Sequence, residues 1–298
     1  MAGGDELFRR YLQTRVSLGE PETVLPGMSR REAKRMARRL AVRGPETLSA
    51  LAGADKAAGA GGEDDAGVRA GTGGGAASPA PEEIERLARE GTADEISRLP
   101  DLETLRSVAE KCTRCPLHEG RKKVVFGEGD AGARLVCVGE APGAREDETG
   151  RPFVGRAGAL LDQLLLAVGF RREEVYICNV LKSRPPRNRD PRSEEIEACA
   201  PFLLRQVELL DPRVIVAFGA FASRTLLDTS GSLGSLRGRV HDFRGYPLVA
   251  TYHPAALLRN PGWRRPTWED LQRARRLVDV EDGRLAPAGG RDDDGEGS

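Results

Sequence analysis

The sequence predicts an α/β protein: a three-layer αβα arrangement around a central, mostly parallel, roughly four-stranded sheet. Three observations carry this. Short apolar runs at 134–138, 175–180, 213–218 and 247–251 alternate with stretches whose apolar residues recur at helical spacing. Strand alternating with helix at this interval argues a parallel sheet covered on both faces. The first run, Leu135-Val-Cys-Val138, also opens into a long loop rich in Gly and Pro, placed where ligands sit in such sheets, beyond a strand's carboxyl end.

In chain order, residues 5–18 predict a short amphipathic helix, with Leu7, Tyr11, Leu12 and Leu18 apolar. Residues 29–42 predict a helix with a basic face, Ser29 standing as N-cap. Gly and Ala dominate 44–81, which reads as a flexible linker. A helix resumes at Pro81 and runs to about Ser97, and another from about Leu102 leads into Cys112-Thr-Arg-Cys115. After the 134–138 strand, Ala157, Leu160, Leu161, Leu164, Leu165 and Val168 mark a helix over 156–168 that Gly169 ends. A strand at 175–180 leads to a basic, Pro-rich loop at 182–192. A helix over 193–210 follows, with Glu195 and Glu197 in its first turns. The 213–218 strand ends at Gly219, with a helix over 220–227. A strand pair at 239–243 and 247–251 stops before His253, and the last helix spans 267–278. The domain reading is a basic helical extension (1–43), the linker (44–81), one catalytic-sized domain (82–282) and a disordered Gly/Asp-rich tail (283–298).

The 46 basic and 46 acidic residues cancel, which argues against a uniformly basic nucleic-acid binder. Two local patches stand out: residues 30–43 carry seven Arg or Lys against Glu32, and residues 182–192 carry five against Asp190. No apolar run is long enough to span a membrane, and the charged first 15 residues do not form a signal peptide. The expected location is therefore the cytoplasm. There a Cys-x-x-Cys is a metal or redox site more often than a disulfide.

Residues 139–155 read Gly-Glu-Ala-Pro-Gly-Ala-Arg-Glu-Asp-Glu-Thr-Gly-Arg-Pro-Phe-Val-Gly. The loop offers backbone N–H groups, two acids (Glu140 and Glu146) and one aromatic face (Phe153). Asn179 closes the strand-like run Val175-Tyr-Ile-Cys-Asn179, and His253-Pro254 follows Pro247-Leu-Val-Ala-Thr-Tyr252. Together with Cys112-Thr-Arg-Cys115 and Arg-Pro-Pro-x-Asn-Arg, the order and spacing resemble the type 4, iron–sulfur branch of the uracil-DNA glycosylases over about residues 105–275. The αβα fold is implied by this resemblance as well.

The resemblance implies hydrolysis of the N-glycosidic bond of deoxyuridine in single- or double-stranded DNA, by a monomer. Such an enzyme extrudes the base, stabilises negative charge on the departing ring and rejects cytosine. Asn179 would read uracil O4 and N3–H, Phe153 would stack on the ring, and His253 would donate to O2. Gly139, Glu140 and Ala141 would line the pocket with backbone groups. The best-known branch has an Asp at the position of Ala141, credited with placing the water; type 4 members lack it. Glu140 and Glu146 are the candidates for orienting water or stabilising the cationic sugar. Leu257, Leu258 and Arg259 would push into the duplex, the alternative being the first turn of a helix. Arg184, Arg187 and Arg189 of the Lys182–Arg192 loop would bind phosphates.

The family's four-iron cluster is held by four Cys. Here Cys112, Cys115 and Cys199 match, but Ser183 stands where the third ligand belongs. Ser183 could ligate through oxygen, Cys178 could substitute from five residues earlier, or the cluster could be incomplete. The expectation is a structural cluster, 4Fe-4S in type, on three Cys plus Ser183 or an outside ligand. Zinc, with His118 in reach, is the second choice. Cys137 reads as an inert core thiol. The rival functions are a catalytically weak DNA-binding or polymerase-associated module, and a glycosylase preferring another base such as hypoxanthine.

Overall fold

A computed structural model describes residues 79–281. The helices expected at 5–18 and 29–42, nearly all of the 44–81 linker and the tail lie outside the described residues. The described chain builds one six-stranded sheet from β1 (Glu128–Gly129), β2 (Leu135–Gly139), β3 (Tyr176–Asn179), β4 (Val214–Phe218), β5 (Val240–Phe243) and β6 (Tyr246–Thr251), in the order β1-β3-β2-β4-β6-β5. The central four, β3-β2-β4-β6, are parallel. β1 and β5 are added antiparallel at the edges, so the expected four-stranded sheet is widened to six.

Every residue of β2, β3 and β4 is buried, which is why these strands read as unbroken apolar runs. One face presents Val136, Val138, Tyr176, Cys178, Ile215 and Ala217 to α7 (Ser193–Leu210) and α8 (Gly219–Leu227). By alternation along the strands, Cys137, Ile177 and Val216 face the other way, where α6 (Arg156–Ala167) and α11 (Arg264–Glu281) pack against each other, with α11 on β4 and β6. Cys137 is fully buried in this core. Gly169, at φ +80°, ends α6 by donating to Leu166 O, while Phe170 N–H reaches Leu165 O.

The chain expected as one helix over 81–97 breaks in two. α1 (Pro81–Glu90) stops at Gly91, and α2 (Ala93–Ser97) starts on a capping box between Thr92 and Glu95. With α3 (Leu102–Lys111) these helices form a second apolar cluster against Phe202 of α7, setting the short α4 (Leu117–Gly120) and the Cys112/Cys115 segment beside that helix. A further helix, α5 (Ala144–Thr149), stands inside the Gly-rich loop where none was expected, and after His253 the chain takes the helical alternative as α10 (Pro254–Arg259). A last short helix, α9 (Leu233–Leu236), precedes β5.

Candidate active site

Because the four central strands are parallel, their carboxyl ends share one edge. Gly139 and Asn179 are register partners there, and β6 delivers His253 two residues past its end. A cavity of about 420 Å³ opens at this edge, lined by Glu140, Glu146, Phe153, Asn179, His253 and Arg259 among others. The structure thus brings Phe153, Asn179 and His253 into one hollow, from segments up to 100 residues apart in sequence. Gly139 is fixed by close approach: a Cβ there would collide with Asn179 Oδ1 and the Phe153 ring.

Asn179 is 2% exposed, yet among the described residues no group hydrogen-bonds its carboxamide. A buried amide without partners is costly unless a ligand supplies them. Phe153 sits at φ +50°, a conformation that costs a non-glycine residue roughly 1–2 kcal/mol. Its ring stacks on His253, with centroids 5.4 Å apart at 27°, and tilts against Phe218 at 6.4 Å. Arg172 holds the strained turn in place, donating to Phe153 O (3.2 Å) and Pro152 O (2.6 Å) while pairing with Glu128 and Asp162. Sequence reasoning missed Arg172; its partners lie 10 to 44 residues away in the chain, and nothing local marks it.

His253 caps α10, its Nδ1 accepting the Ala255 N–H at 3.2 Å. That bond assigns the ring proton to Nε2. Burial, reinforced by Arg259, lowers the imidazole to about 4, so it is neutral at pH 7 and offers one N–H donor. Glu146, on α5, accepts the N–H groups of Val154 and Gly155, each at 2.9 Å. It staples the two arms of the Gly-rich loop. Glu140 has no such partners; burial first, and Asp190 second, push its carboxyl up to about 7.

The expected DNA-contacting residues divide. Leu257 is fully buried and holds α10 to the body, so it is withdrawn as a wedge; Leu258 is half-buried and Arg259 exposed. Arg189 lines the cavity, but its guanidinium is committed to buried Glu195 by a two-pronged pair, which corrects its reading as a phosphate binder. Arg184 bonds Asn188 Oδ1 at 2.7 Å, and Arg187 is exposed. Lys182 leaves the phosphate surface altogether. It is 3% exposed, donates to Asn179 O (2.8 Å) and Gln206 Oε1, and has its ammonium pKa lowered by burial.

Cys112, Cys115, Ser183 and Cys199 line a second, much smaller cavity of about 20 Å³, room for one water. Cys178 does not line it; it lies in the core beneath α7, and so is withdrawn as a substitute ligand. The Lys182 N–H points at Cys199 Sγ (3.3 Å), and Arg121 donates to Ser183 Oγ (3.2 Å) and Cys112 O (2.7 Å). Arg114, also on the wall, has a buried Nη1 with no hydrogen-bond partner. Among the described residues no three His, Cys, Asp or Glu side chains converge as a single-ion site, and the His118 Nδ1 is engaged with Cys115 O at 2.8 Å. In donor chemistry the walls fit an anionic, sulfur-rich group: three thiols, one hydroxyl, an amide aimed at sulfur and an unmatched guanidinium nitrogen. The cavity as it stands is smaller than such a group.

Residues 126–272 match the uracil DNA glycosylase superfamily. The chain is 49% identical over 184 residues to a type-4 uracil-DNA glycosylase of Thermotoga maritima, spanning 60% of this chain and 96% of that protein. It is 46% identical over 179 residues to one of Pyrobaculum aerophilum, spanning 57% and 91%. A type-5 uracil-DNA glycosylase of the same archaeon is 32% identical, spanning 63% and 90%. The chain belongs to the uracil-DNA glycosylase superfamily, in its type-4 family.

Proposed function

We propose that the protein removes uracil from DNA by hydrolysing the N-glycosidic bond of deoxyuridine, leaving an abasic site for repair. The observation that carries this is the single hollow where an aromatic ring, an unpartnered carboxamide and a neutral imidazole converge. Extruding a base costs a few kcal/mol, returned by the contacts waiting in the pocket. Phe153 stacks on the ring. Asn179 donates from Nδ2 to O4 and accepts N3–H at Oδ1; cytosine presents the reverse pattern, leaving both buried groups mismatched. His253 donates a hydrogen bond from Nε2–H to O2, keeping its proton, as the ring takes up negative charge, and a neutral donor suits an anion that leaves unprotonated. Glu140, poised near neutrality, orients water beneath the sugar. Glu146 holds the loop that carries Phe153.

Cys112, Cys115 and Cys199, with Ser183 or an outside ligand as the fourth, would hold an iron–sulfur cluster of the 4Fe-4S type. When bound it supplies a structural tie between the 112–115 segment, the Ser183 loop and α7. The chain's own part is to present three thiols and to meet the group's negative charge with the Arg114 Nη1 and the Lys182 amide. The protein acts as a cytoplasmic monomer on single- or double-stranded DNA. The basic residues clustered at 30–43 add non-specific affinity for DNA, and 82–282 form the catalytic domain. Excision assays on uracil-, hypoxanthine- and thymine-containing oligonucleotides test the reaction and its base preference. Release of uracil alone is expected. Binding without release would instead support a module that kept the fold and lost the chemistry.

A further inference from the structure

Beside the pocket lies an aromatic stack that the reaction does not use. Trp263 is 39% exposed; among the described residues it and Val240 are the large apolar side chains left in solvent. One face of its indole lies on Tyr252, with centroids 4.5 Å apart at 12°. The guanidinium of Arg237 sits 5.0 Å from the centre of the same Tyr252 ring. The stack is anchored at every level. Arg237 is held by Pro266 O (2.7 Å) and by Asp270 (2.9 Å), which is itself 1% exposed and bonded by Thr251 Oγ1 (2.9 Å). Trp263 is fixed through its backbone, N–H to Asn260 O (3.1 Å) and carbonyl to Thr267 Oγ1 (2.8 Å).

Its place in the chain ties it to the pocket. Tyr252 is the residue before His253, and exposed Arg259, on the pocket wall, lies on the helix that leads to Trp263. An indole stacked on one ring and 39% exposed is the arrangement on which unpaired bases stack. Arg237 is committed to Asp270, but exposed Arg259, on the pocket wall, offers a positive charge to a phosphate backbone leaving the pocket.

We propose that the outer face of Trp263 is a platform for an unpaired nucleobase flanking the extruded nucleotide, so that the enzyme grips its strand by a second, sequence-independent stack. This rests on DNA being the substrate and adds a site for a neighbouring base. Stacking of this kind is sequence-tolerant, because every base has a flat face. In a duplex the neighbour is already paired and stacked, so the platform matters most for single strands.

The chain has two tryptophans, Trp263 and Trp268, and Trp268 is buried. Titrating the full protein with a uracil-free single-stranded oligonucleotide and recording tryptophan emission therefore reports on Trp263. Most of the emission that separates wild type from Trp263→Phe should be quenched. On single-stranded uracil substrate, Trp263→Ala should raise KM about tenfold with kcat unchanged, Trp263→Phe should restore most of the loss, and inhibition by free uracil should not move. A smaller KM effect on duplex is expected. An unquenched Trp263, or a KM for Trp263→Ala within about twofold of wild type, overturns the platform. If Trp263→Ala fails to fold, the quench comparison with Trp263→Phe still decides. Excision with no quench would overturn this proposal alone; quench with no excision would uphold it and overturn the proposed reaction.

Discussion

Two cavities among the described residues differ in size and in what lines them. The pocket at the carboxyl ends of the strands is open and about 420 Å³, with a strained Phe153, an unpartnered Asn179 carboxamide and an isolated Glu140. The thiol cavity under α7 is only about 20 Å³, walled by Cys112, Cys115, Cys199 and Ser183. A site that exchanges ligand with solvent stores its unsatisfied groups facing an opening. The smaller cavity gathers thiols in its wall, with the Arg114 Nη1 unmatched beside them. Lys182 joins the two: its Nζ holds the Asn179 carbonyl, and its backbone N–H points at Cys199 Sγ.

The sharpest way to break this comparison is to damage one cavity and read the other. Asn179→Ala should lower kcat/KM for uracil excision on the order of 100-fold or more, the scale set by losing a preorganised hydrogen-bonding group, with iron content and Tm unchanged. His253→Ala should lose on the order of 100-fold by the same logic. Cys199→Ala should do the reverse in order of events: iron and the visible spectrum go first, Tm falls, and activity is lost only as the fold loosens. Iron loss in Asn179→Ala, or full activity in an iron-free Cys199→Ala, would merge or sever the two sites.

Acidity sharpens the contrast further. If Glu140 works as a carboxylate, excision falls as pH drops through about 7, and Glu140→Gln flattens that limb. The stability effect has the opposite sense. A carboxyl raised from 4.5 to about 7 in the folded state binds more protons folded than unfolded between those values. Its contribution to stability therefore falls as pH rises through that window. Glu140→Gln should accordingly gain Tm at pH 8 relative to wild type and gain little at pH 4.5. His253, lowered to about 4, contributes stability that is present above about 6.5 and lost as pH falls toward 4. The smallest expected effect is at the rim: Arg187→Ala should weaken DNA binding modestly and reduce the salt slope by about 1, whereas Arg189→Ala should cost stability by leaving buried Glu195 unpaired.

What the sequence made legible follows from burial. β2, β3 and β4 are apolar because both faces are covered, so they stand out as runs. The Gly-rich loop and His-Pro motif mark the pocket because close approach leaves few residue choices, as at Gly139. β1 is two residues long with no periodicity to read. α5 hides among glycines and acids, and only the Val154 and Gly155 amides show why Glu146 is there. Leu257 and Arg189 looked available in one dimension; a helix turned the first inward, and Glu195, six residues on, claimed the second. The Arg172 brace joins segments that only the fold brings together.

The central claim is that one hollow reads uracil through Phe153, Asn179 and His253 independently of the thiol cavity. Its most direct test is uracil release from a single-stranded oligonucleotide by wild type and Asn179→Ala, purified without air and matched for iron per chain. The account predicts loss on the order of 100-fold or more at equal iron and equal Tm. Release by Asn179→Ala within about threefold of wild type, a difference below 1 kcal/mol, would contradict it.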